Sequence, residues 1–202
     1  MNYITNTKIA EKATGFSLKI MPMKKLFMFI FLLASILIRA QKYEQTTSKI
    51  SFLSDAPLED IYAESKKSRC VFNATNKKIV VLMKPNTFVF KNPMMQEHFN
   101  ESYMESDKYP KAILSGEVIG DFDVKKDGVY EVTVKGKLTI HGVEKNREIK
   151  GKIIVKEGKV SIDAKFAIKV ADHGIKIPSM KIKNIAEVVE VTVAIDLMEK
   201  KS

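Results

Sequence analysis

The sequence predicts an all-β domain, a sandwich or closed barrel, carrying one short amphipathic helix. Three observations lead there. Long stretches alternate apolar and polar residues with a period of two. The links between them are short and carry turn residues. A single segment, residues 92–104, follows the helical period instead.

The alternation is clearest downstream. In "YEVTVKGKLTI", Tyr130, Val132, Val134, Leu138 and Ile140 share one face, against Glu131, Thr133, Lys135, Lys137 and Thr139. "VSIDAKFAIKV" sets Val160, Ile162, Ala164, Phe166, Ile168 and Val170 against Ser161, Asp163, Lys165, Ala167 and Lys169. Val189, Val191, Val193, Ile195 and Leu197 repeat the pattern, as do Ile149, Gly151, Ile153 and Val155. Such segments are strands with one wet face. "KEGK" places Gly158 where φ > 0 is needed, Asp127-Gly128 is a turn signal, and "HGVEKN" at 141–146 links two alternating runs. Short links make antiparallel neighbours. Upstream, residues 49–53, 70–72, 79–83, 87–90 and 112–119 are further strands, and 65–69 is a polar loop. Gly116, Gly136 and Gly151 fall inside strands, where a sheet bends sharply or another group approaches.

The ends of the chain set the domain limits. Residues 23–40 read "MKKLFMFIFLLASILIRA". Lys24 and Lys25 precede an almost unbroken apolar run of 13 residues, 26–38, too short for a comfortable membrane span and suited to a secretory signal. Ala40 supplies the small residue before a cut, which predicts a mature domain over 41–202, periplasmic or secreted. Residues 1–22 form an upstream extension outside that mature protein, with Met23 the candidate initiator. Residues 1–40 hold six of the 34 Lys and Arg and one of the 24 acids, leaving +5 on 41–202. That modest excess suits weak, transient attraction to an anionic membrane surface and predicts no nucleic-acid partner. Cys70 is the only cysteine, so no internal disulfide forms.

The stretch "MQEHFNESYMESDKYP", residues 95–110, is rich in acids and rings. Asn92 suits the N-cap and Pro93 the first helical position. Met95, Phe99 and Tyr103 then stand at i, i+4 and i+8 and turn inward, while Glu97, Glu101 and Glu105 face water. No catalytic residue is assigned: solvated acids at this spacing decorate a surface more often than they perform general acid–base chemistry. No metal or cofactor site is assigned, because His98, His141 and His173 lack ligand spacing. Cys70, beside Val71 and Phe72, reads as a buried thiol.

The apolar faces remain. An eight-stranded barrel is either filled by its own side chains or holds one ligand, and periodicity alone leaves both open.

The order "ISFLSDAPLEDI", "FVFKNPMMQEHFNESYMESDKYPKAILSGEV", "GKLTIHGVEKNREI" and "FAIKVADHGIKIP" resembles the YceI-like family of exported lipid-binding proteins. The resemblance runs from about Ser48 to the C-terminus. It implies an eight-stranded antiparallel, lipocalin-like barrel around a long apolar pore. The implied ligand is an isoprenoid lipid, a quinone or polyprenyl chain, held without enzymatic activity. Leu114, in "ILSG", stands where members commonly carry an aromatic, which implies a reshaped pocket. By alternation the expected lipid-contacting residues are Phe88, Phe90, Phe99, Tyr103, Leu138, Ile140, Phe166 and Ile168. Asp107 and Tyr109 are expected to pin the loop into the next strand, and a homodimer is compatible with this reading. The alternative is a non-enzymatic structural or interaction domain with a filled core; a hydrolase using Glu97 or Glu101 stands third.

Overall fold

The computed structural model describes residues 41–179 and 184–200. The expected signal segment, 23–40, and the extension before it lie outside the described residues.

The strands are β1 (Lys42–Asp55), β2 (Asp60–Ser65), β3 (Arg69–Asn73), β4 (Lys78–Met83), β5 (Val89–Phe90), β6 (Ala112–Ile119), β7 (Gly128–Ile140), β8 (Val143–Lys156), β9 (Lys159–Lys169) and β10 (Val188–Glu199). Eight of them close an antiparallel ring in the order β1-β3-β4-β6-β7-β8-β9-β10. The ring shuts where β10 runs along β1, from Tyr43 opposite Glu199 to Leu53 opposite Glu190. Strand β1 is shared on its other side: its first residues pair with β3 and its second half with β2, which in turn carries β5. The predicted lipocalin-like barrel is therefore the observed fold.

Its faces follow the sequence period. On β7 and β9 every fully buried position is one of the apolar ones read from the alternation. The outward faces carry opposite charges on neighbouring strands: Lys135 with Glu148, Lys137 with Glu144, Lys152 with Glu131 and Lys165 with Glu190. Each exposed pair contributes little, but together they mark the wet side. Gly116 and Gly136 sit opposite each other, and a Cβ at either would strike the neighbouring backbone. Glu157 and Gly158 both take positive φ in the tight β8–β9 turn, as "KEGK" requires.

Four elements differ from the sequence expectation, each for a local reason. Strand β1 begins at Lys42, seven residues early, because a bulge between Gln45 and Thr47 shifts the phase of its alternation. Its inner face there is polar: Gln45 Nε2 donates to Ser48 Oγ at 3.1 Å and to the Ser68 carbonyl at 2.9 Å. Strand β2 points Ile61 and the small residues Ala63 and Ser65 inward and leaves Tyr62 exposed, so no long apolar stripe betrays it. The expected strand at 87–90 shrinks to Val89–Phe90, because Pro85–Thr87 form a 3-10 turn. The β7–β8 link is only His141-Gly142, both at positive φ, rather than all of 141–146.

The helix starts as expected. Asn92 accepts the Met94 N–H at 2.9 Å and Pro93 opens helix α1 (Pro93–His98). It does not continue as α to Met104: Phe99–Tyr103 form a π turn, with the Met104 N–H reaching the Phe99 carbonyl at 2.8 Å. The Asn100 side chain donates to the Gln96 carbonyl at 2.9 Å, the acceptor its own backbone N–H would take in an α-helix.

Candidate functional site: an apolar cavity at one barrel end

The two ends of the barrel are built differently. At the end where β1, β4 and β7 begin, Tyr43, Phe72, Val155, Val160 and Leu197 fill the interior with a packed plug. Phe72 and Val160 are fully buried there. At the other end the interior is hollow. A cavity of about 500 Å³ reaches from a floor of Ile79, Val134, Ile162 and Ile195 to the segment 92–104.

One wall is aromatic. Phe52 stacks on Phe99 at 5.4 Å between ring centres and meets Phe88 and Phe90 edge-on at 5.2 and 5.8 Å. Phe99 also contacts Phe88 and Phe90, at 5.7 and 5.0 Å. Such ring pairs add packing energy beyond burial alone. The facing wall comes from β7, β9 and β10 and is aliphatic except for Phe166. Met95, Phe99, Tyr103 and Met104 complete the enclosure from the helical segment. Burial pushes the Tyr103 phenol pKa up, so the ring stays neutral. The few polar lining side chains are Glu59, Asn92, His98 and Asn184, with the buried Ser54, whose Oγ accepts the Ala186 N–H. Glu59, Asn92 and His98 are exposed, so the cavity reaches the surface there. A mostly apolar hollow with a few polar groups at one end is built to take an apolar molecule with a small polar head.

The structure places all eight expected wall residues on this cavity: Phe88, Phe90, Phe99, Tyr103, Leu138, Ile140, Phe166 and Ile168. Leu114 lines it too. Sequence reasoning missed Phe52, Ile50 and Val191; Ile50 and Phe52 sit just past the β1 bulge, and Val191 belongs to a stripe read only as a strand. The acids divide. Glu97 and Glu101 are exposed. Glu105 does not simply face water: its Oε2 lies 2.7 Å from His141 Nε2. Tyr109 does pin the loop, its ring edge-on to His141 at 4.4 Å and pressed on Gly142. Asp107 is exposed and stands outside this network.

No group of three or more His, Cys, Asp or Glu converges among the described residues. Cys70 is buried in the plug, and burial pushes its thiol pKa up to about 12.

A closed eight-stranded barrel, plugged at one end and hollow and apolar at the other, defines a lipocalin-like container. The chain matches the model of the YceI-like domain over residues 42–197 and belongs to that family. No curated protein matches the sequence. Solved structures share the fold. A polyisoprenoid binding domain from Saccharophagus degradans, implicated in plant cell wall breakdown, aligns with TM-score 0.69 and 13% identity, covering 80% of this chain and 100% of that one. Burkholderia cenocepacia BcnA aligns with TM-score 0.62 and 16% identity, covering 74% and 95%. A Campylobacter jejuni YCEI protein aligns with TM-score 0.52 and 19% identity, covering 69% and 85%.

Proposed function

We propose that this chain sequesters or carries an isoprenoid lipid, a quinone or a polyprenyl chain, with the apolar tail inside the barrel and the head at the polar rim. The observation that carries the reading is the apolar cavity of about 500 Å³ at the hollow end, within the range of small-molecule sites. Family membership and the likeness to a polyisoprenoid binding domain support it. The role is binding rather than catalysis. Each buried CH2 group contributes about 0.8 kcal/mol, so a tail of roughly ten carbons gains on the order of 8 kcal/mol before association costs. The apolar tail needs no polar partner, which matches the walls. Export, supported by the signal pattern of residues 23–40, would put the carrier in the periplasm or outside the cell. Transient contact with a membrane surface follows from lipid exchange, and a homodimer is compatible with it.

The test is displacement of 1-anilinonaphthalene-8-sulfonate from the 41–202 protein by decylubiquinone and by geranylgeraniol. Displacement at micromolar concentration supports the reading. Failure of both ligands favours the rival, a structural or interaction domain whose hollow end takes no lipid.

A further inference from the structure

The helical segment that covers the cavity is tied down at its far end by two titratable side chains. Glu105 follows the π turn directly, and His141 sits at the tip of the β7–β8 hairpin. The two bond at 2.7 Å from Oε2 to Nε2. The other ring nitrogen, Nδ1, lies 3.2 Å from the His173 carbonyl. A carbonyl and a carboxylate only accept hydrogen bonds, so His141 satisfies both only by donating from both nitrogens. The ring is nearly buried, with 11% of the side chain exposed. Both partners also hold left-handed backbone that costs non-glycine residues energy: φ is 42° at Glu105 and 50° at His141. Such conformations persist where surrounding contacts enforce them.

We propose that Glu105 and His141 form a pH-governed latch on the cavity cover, closed while His141 carries two protons and loosened when it gives one up. The sign follows from the donors. At lower pH both bonds are made. As pH rises and one nitrogen loses its proton, either the carboxylate or the His173 carbonyl loses its donor, and residues 93–104 open more often. Glu105 remains ionised throughout, because the bond from His141 and then the Lys108 charge hold its carboxyl below the usual range.

The other groups facing the latch do not replace it. Lys108 Nζ lies 3.5 Å from Glu105 Oε1 and over the Tyr109 ring, an exposed contact that does not cross to the hairpin. The Tyr109 ring supports His141 edge-on. His173 is buried and turns Nδ1 to the Val143 carbonyl at 3.1 Å; burial lowers its pKa and disfavours its charged form. Asp172, Lys145 and Arg147 act on His173 at longer range.

The functional consequence, faster lipid exchange at higher pH, rests on the cavity being the lipid site; the motion itself does not. Amide hydrogen exchange of the ligand-free 41–202 protein, at pH 6 and pH 8.5, tests it through protection factors that remove intrinsic pH effects. The Met104, Ser106 and Tyr109 amides report the cover, and Ile153 and Ile162 report the barrel. Cover protection is expected to fall about tenfold at the higher pH, the effect of losing one charge-assisted hydrogen bond, with barrel amides unchanged. His141→Gln should leave the cover equally protected at both pH values, and Glu105→Gln serves if that variant loses barrel protection. Equal cover protection at both pH values in the wild type overturns the latch, as does a full tenfold step persisting in the substituted protein. A pH step without decylubiquinone binding would sustain the latch and sink the lipid reading; binding without the step would do the reverse.

Discussion

Replacing Phe166 by Asp tests the cavity most sharply. Phe166 lies on β9 opposite Val191 of β10, half-buried, with its ring on the cavity wall. Two losses combine. A ligand tail forfeits its contact with the ring, worth about 2 kcal/mol. The introduced carboxylate must shed water when an apolar tail arrives beside it, at least about 2 kcal/mol more. Together they make about 4 kcal/mol, which carries a micromolar Kd to roughly millimolar. The sign with pH is fixed as well. A carboxyl in this surrounding has its pKa raised by desolvation, so it is charged at pH 8 and increasingly neutral towards pH 5. Part of the lost affinity should return on acidification. The assay is decylubiquinone displacement of the fluorescent probe at both pH values, with near-UV circular dichroism showing the barrel intact. Phe166→Leu, which keeps the wall apolar, should bind within about fivefold of wild type. An Asp variant that folds and binds within threefold of wild type would refute the placement of ligand against β9.

Four further outcomes follow from the same geometry. Phe99→Ala removes three ring contacts from a half-buried site and should destabilise by about 2–4 kcal/mol, read as a lower urea midpoint at unchanged slope. Gly142→Ala adds a Cβ 2.6 Å from the Tyr109 ring at φ 74°, so about 1–3 kcal/mol of stability should go, with Tyr109 and His141 resonances shifting together. Burial lowers the His173 pKa, so the unfolded chain binds the proton better; its contribution is complete above the ordinary histidine range near 6.5 and declines as pH falls through it, a loss that His173→Gln should reduce in melts at pH 5 and 8. Cys70, raised to about 12, should resist thiol reagents at pH 8 in the folded protein and react at once in urea.

How much was legible in the sequence depended on which residues faced inward. Strands β7, β9 and β10 were plain because large apolar residues recur at every second position on their inner faces while their outer faces are mostly polar or charged. Strand β2 was invisible because Ile61 is the one large apolar residue on an inner face otherwise made of Ala63 and Ser65, and the start of β1 because a bulge breaks its phase over a polar interior. The N-cap and Pro93 announced the helix, but the π turn depends on the side chain of Asn100, and spacing carries no trace of that competition. Alternation reached the cavity positions on the strands, and helical spacing reached Phe99 and Tyr103, since inward-facing residues are the same whether a barrel is hollow or full. That hollow itself was not readable: it arises because the plug residues meet at one end while the phenylalanines line the wall at the other. The Glu105–His141 bond joins residues 36 apart, and each alone looks like an ordinary surface residue.

Native mass spectrometry of the protein, purified from its own cells without detergent, tests the central claim most directly. The account predicts a retained extra mass that solvent extraction identifies as an isoprenoid lipid. A bare protein mass that stays bare after incubation with decylubiquinone or geranylgeraniol would contradict it.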